Sequence, residues 1–100
     1  MEDTNQIFIP ESFARLYGDE RGRLCASRSL VEDRYELCED LAGMMVDQCQ
    51  LIHFRDGVNE AEILARCLKG LLTPPCAVDE AEAQWVVTRT AELLNWQAIE

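Results

Sequence analysis

The single histidine, His53, follows Cys49 by four residues. On a helix the two side chains would share a face, which raises metal binding and nucleophilic catalysis as possibilities. A zinc ion needs about four ligands, so two more would have to come from elsewhere, with Cys38 and Cys67 the available cysteines. Cys38 lies about 16 Å from Cys49 along the same helix at 1.5 Å per residue, too far to join. A cysteine–histidine nucleophile fares no better. Two groups on adjacent turns of one helix, without an orienting third group or oxyanion donors, meet little of the triad logic. The expectation is therefore no catalytic residue and no metal, with His53 a partly buried side chain near a helix C-terminus.

Phosphate and calcium chemistry are equally ill served. There is no G-x-x-x-x-G-K-[ST] loop and no G-x-G-x-x-G. The run Gly18-Asp19-Glu20-Arg21-Gly22 is glycine-spaced but acidic, and Lys69-Gly70 follows a helix pattern instead of a strand. Asp56-Gly57-Val58-Asn59-Glu60 lacks the alternating acids of a calcium loop. Carboxylates do cluster between Glu32 and Asp47. Di-metal bundles, however, turn such acids inward and join them with Glu-x-x-His pairs, which this chain lacks. No cofactor is expected.

Two surfaces remain for binding. Glu32, Glu36, Glu39 and Asp40 form an acidic ridge that could dock a basic protein or imitate a run of phosphates. Trp85, Arg89, Glu92 and Trp96 recur at i, i+4, i+7 and i+11, and tryptophan and arginine most often carry interface energy. The alternative for that second face is internal cover, because Ile7, Phe8, Ile9, Phe13 and Tyr17 also need burial. Arg34 projects beside Leu41 and Met45, either snorkelling or pairing with an acid.

The elements that must carry these residues are helical. Pro10 suits the first position of a short helix through Phe13, Leu16 and Tyr17, stopped at Gly18. A loop over 18–28 follows. Ser29 and Glu32 have capping-box spacing and open a long helix to about Phe54, ended by Asp56-Gly57. Val31, Tyr35, Cys38, Ala42, Met45, Cys49 and Ile52 make its apolar stripe, widened by Leu30, Leu37, Leu41 and Met44. Asn59 with Glu62 caps the next helix, buried through Ile63, Leu64, Cys67, Leu68 and Leu71 and ended by Thr73-Pro74-Pro75. Asp79 with Glu82 opens the last, which runs to about Trp96 with Ala83, Val86, Val87, Thr90, Leu93 and Leu94 inward. The pattern predicts an all-α fold, a small antiparallel helical bundle of three main helices plus a short N-terminal helix. It forms one domain over 1–100, with 1–6 disordered.

Composition sets the context. Nineteen acids against nine bases give a net charge of −10, and both halves of the chain are acidic, so no charged tail is set apart. Such a charge opposes direct contact with nucleic acid and anionic lipid and favours basic partners. No stretch approaches the length of a membrane span, and the N-terminus lacks the basic and apolar regions of a signal peptide, so a cytoplasmic location is expected. Five cysteines, an odd count without a secretion signal, argue against a disulfide framework, and no C-x-x-C pair occurs. Cys38, Cys49 and Cys67 read as small buried hydrophobes, and Cys25 and Cys76 as exposed.

Through Ile9-Pro10-Glu11-Ser12-Phe13, Arg34-Tyr35-Glu36-Leu37-Cys38-Glu39-Asp40-Leu41, Ala81-Glu82-Ala83-Gln84-Trp85-Val86-Val87 and Leu93-Leu94-Asn95-Trp96, the chain resembles a group of small proteobacterial proteins. These are of unknown function, some labelled "ATPase with chaperone activity". The likeness spans most of the chain, and its motifs are structural in character. It implies a bacterial cytoplasmic setting and an adaptor or chaperone-like role. The label also implies a nucleotide site, for which no loop exists here, so no catalytic residue carries over. The expected function is a non-enzymatic protein-interaction module using Trp85, Arg89 and Trp96. An acidic regulator or decoy of a basic protein is the second reading, and a thiol- or metal-dependent enzyme at Cys49 and His53 the third. The broad apolar arc also fits a homodimer.

Overall fold

A computed structural model describes residues 8–19, 21 and 23–96. The expected disorder at 1–6 lies outside them. The fold is all-α. Its helices are α1 (Glu11–Ala14), extended by a 3-10 turn over Arg15–Tyr17, then α2 (Arg28–Asp56), α3 (Glu60–Leu71) and α4 (Glu80–Leu94). The chain divides into two compact units, Met1–Glu36 and Leu37–Glu100, and α2 contributes residues to each.

In the first unit the core is aromatic. Phe13 is fully buried, with Tyr17 and Tyr35 each at 5.5 Å between ring centroids. Val31 is buried in the same unit. Pro10 is the residue before α1 instead of its first position, and its carbonyl accepts from the Phe13 and Ala14 N–H groups at 3.0 Å. The following loop is tied by its own backbone. Asp19 donates to the Arg23 carbonyl (2.8 Å) and Cys25 to that of Tyr17 (2.6 Å), while the Asp19 carboxylate accepts from the backbone of Arg21 and Arg23. Phe8 is 83% exposed, against the expected burial, and Ile7 lies outside the described residues.

The expected cap of α2 is corrected. The helix starts at Arg28, and Ser27 Oγ, not Ser29, accepts from the Leu30 N–H at 3.1 Å. Glu32 therefore sits within the helix and pairs with Arg28 at 3.1 Å. Arg34 is partly buried and engaged by neighbouring groups.

The second unit contains α3, α4 and the part of α2 from Leu37 onwards. Asn59 caps α3, its side chain accepting from the Glu62 N–H at 2.8 Å. At α4 the capping box is complete, with Asp79 accepting from the Glu82 N–H (2.8 Å) and Glu82 from the Asp79 N–H (3.0 Å). Glu82 is buried, and this bond and the helix N-terminal dipole compensate its charge. Thr90, also buried, donates to the Val86 carbonyl at 2.8 Å. The α2 stripe is where the period put it, with Cys38, Ala42 and Cys49 fully buried. Leu30, Met44 and Leu93, expected inward, are exposed.

Helix direction follows from pairs of residues. Cys49 lies seven residues before the end of α2 and Cys67 seven after the start of α3, and their sulfurs are 3.5 Å apart. Leu64 of α3 packs against Val87 and Ala91 of α4, with Cys67, Leu68, Leu71 and Trp96 around them. Within this unit α2 and α3, and α3 and α4, thus run antiparallel. No helix among the described residues is long and apolar enough to cross a membrane.

Candidate functional site

The end of α2 carries a second stripe, separate from the buried one. Asp47, Gln50, Leu51 and Phe54 recur at i, i+3, i+4 and i+7 and so line one side of the helix. Leu51 is 54% exposed and Phe54 93%. With His53, Arg55 and Trp96 they line an open groove of about 560 Å³.

Trp96 reaches the groove because of how α4 stops. Asn95 adopts the left-handed conformation (φ 62°, ψ 33°) that ends helices. The Trp96 N–H then bonds the Ala91 carbonyl five residues back at 2.8 Å. This Schellman-type closure turns the indole onto the helix it has just left. Trp96 packs against the Leu64–Val87–Ala91 cluster and meets the His53 ring edge-on at 5.2 Å.

His53 is held from below. Gly57, with φ 69°, reverses the chain after α2 and places the Val58 carbonyl 2.8 Å from His53 Nδ1. A carbonyl only accepts, so Nδ1 carries the proton and donates. His53 thereby fixes the α2–α3 turn and one wall of the groove. Among the described residues no three His, Cys, Asp or Glu groups are placed to hold a metal ion.

The residues singled out by sequence are distributed differently from the expected face. Trp85 is 9% exposed, so its ring is part of the interior. Arg89 Nε and Nη2 both donate to the Glu39 carboxylate at 3.1 Å, and Arg89 Nη1 lies 3.4 Å from Glu92. Arg89 and Glu39 are each about a third exposed, so this bidentate pair contributes roughly 1 kcal/mol. Of the trio, Trp96 alone lines the groove. Of the acids, Glu32 and Glu39 have cationic partners, while Glu36 and Asp40 are exposed. Leu51 and Phe54 were not among the expected binding residues. Their sequence signal was that both are large and apolar yet lie off the buried stripe.

No family model matches the chain, and neither a curated protein nor a solved structure matches it.

Cys25 and Cys76 are exposed, Cys38 and Cys49 buried, and Cys67 partly buried. Burial pushes the Cys49 thiol up from 9.0 to about 12, helped by its hydrogen bond to Cys67 and by the charge Cys67 can carry. The folded state therefore holds this proton more tightly than the unfolded chain. The associated stability is complete below pH 9 and is lost as pH rises through 12. Thermal melts under reducing conditions should show Tm falling more steeply above pH 9 for the wild type than for Cys49→Ala. Parallel curves would contradict the assignment.

Proposed function

We propose that the protein is a non-enzymatic interaction module that takes an apolar anchor from a basic polypeptide into the Leu51–Phe54–Trp96 groove. The supporting observation is Phe54, an aromatic side chain left 93% exposed on a stripe that ends in a groove. Covering a phenylalanine recovers on the order of 2 kcal/mol of hydrophobic free energy, so leaving it exposed makes sense if a partner covers it.

The partner's sign follows from charge. The chain carries −10 overall, Asp47 lines the groove, and Arg55, also lining it, is paired with Asp56 at 3.1 Å. A segment with Lys or Arg flanking an apolar residue complements this arrangement, and the net field speeds its encounter. An adaptor or chaperone-like role is the corresponding biological reading. Imitation of a phosphate run needs a ridge of free acids, and the pairing of Glu32 with Arg28 and of Glu39 with Arg89 weighs against it.

The test is site-specific photo-crosslinking. A photoreactive phenylalanine analogue is placed at position 54 and, as control, at position 80, at the other end of α4 from Trp96. Each is irradiated in a bacterial lysate at low and at high salt. The reading predicts a basic polypeptide crosslinked from 54 and not from 80, with the linked peptide carrying Lys or Arg beside an apolar residue. Equal capture at both positions, or an acidic partner, refutes it.

A further inference from the structure

We propose that Cys49 and Cys67 form an oxidisable dithiol, modified first at Cys67 by a low-molecular-weight disulfide and then closed by Cys49 into a disulfide joining α2 to α3. Three observations carry this. The two sulfurs are already in contact at 3.5 Å. They sit on different helices at matching positions of an antiparallel hairpin, so its register holds them opposite one another. Their access to solvent differs: Cys49 is fully buried, whereas Cys67 is only partly covered. A reagent dissolved in water therefore meets Cys67 first. Forming the bond requires the sulfurs to approach by roughly 1.5 Å, to about 2.05 Å.

The exchange needs neither a metal nor an enzyme. The Cys67 thiolate attacks one sulfur of the reagent RSSR, and the S–S bond breaks to release one thiolate RS⁻, which takes up the proton Cys67 gave up. The protein now carries Cys67–S–S–R. Cys49 loses its proton and attacks the Cys67 sulfur, and the second RS⁻ leaves and takes that proton. In sum RSSR is reduced to two RSH, and the two protein thiols are oxidised to one disulfide. Burial disfavours the Cys49 thiolate and so slows closure relative to an exposed thiol.

The inference is independent of any partner in the groove. It is tested on the full chain with oxidised glutathione at mildly alkaline pH, quenched at intervals by alkylation and read by peptide mass spectrometry. The expected course is a glutathione adduct on the Cys67 peptide that rises and then falls. It is replaced by a crosslinked Cys49–Cys67 peptide two hydrogens lighter than the reduced pair, and dithiothreitol restores both thiols. In Cys49→Ser the adduct on Cys67 should persist. The exposed Cys25 and Cys76 serve as internal evidence that the reagent is active. If they are modified while Cys67 stays free, or if the wild-type adduct persists without closure, the proposal fails. The wild-type time course decides this even if the variant does not fold.

Discussion

Leu64→Ala should lower the stability of the Leu37–Glu100 unit by about 3 kcal/mol. Leu64 is 1% exposed and stands between Val87 and Ala91, with Cys67, Leu68, Leu71 and Trp96 completing its surroundings. Removing three carbons there loses their transfer free energy and leaves a cavity that the surrounding helices fill only in part. A domain of this size has a total stability of roughly 5–15 kcal/mol, so the loss is a large share of it. Chemical denaturation should show a lower midpoint with an unchanged slope, and Tm should fall by roughly 15 °C. Leu64→Met, which keeps the volume, should cost less than about 1.5 kcal/mol. If the alanine variant melts with the wild type, Leu64 is not the centre of the α3–α4 contact.

The second large effect concerns binding alone. Phe54→Asp should weaken capture of the basic polypeptide proposed for the groove at least about 30-fold, the range of an interface hot spot, while shifting stability by no more than about 0.5 kcal/mol. The separation is possible because Phe54 contributes almost nothing to the folded interior, being 93% exposed. Trp85→Ala could not provide it, since a side chain 9% exposed supports the fold itself. Quantitative pull-down beside a circular dichroism melt makes the comparison. Undiminished capture by Phe54→Asp, with the fold intact, would remove the groove from consideration.

Some of this was legible in the residues and some was not, for identifiable physical reasons. The 3.6-residue period found the buried face of α2, because Cys38, Ala42 and Cys49 must share a side at that spacing. Asn59 and Asp79 were readable as caps, since each satisfies backbone donors three residues on and needs nothing distant. Ser29 misled because Ser27 sits two residues earlier with the same chemistry, and Glu32, read as its partner, pairs with Arg28 instead. Trp85 was readable either as interface or as internal cover, and it is interior because α4 buries more of its circumference than one stripe, including Glu82 and Thr90. The groove was invisible for a different reason. Periodicity tells which residues share a face, not which faces meet another helix, and Leu51 and Phe54 lie on a face left open. The Cys49–Cys67 contact likewise depends on hairpin register, which no single-helix pattern contains.

The two tryptophans occupy unlike surroundings, one interior and one at the rim of a groove against an imidazole. The chain thus contains two built-in fluorophores. Trp85 emits from an environment that exists only while the helices are assembled. Trp96 stands where an arriving ligand would alter its solvent and its contact with His53. One emission spectrum therefore combines a signal of assembly with a signal of occupancy, and replacing either indole by phenylalanine separates them without an added label.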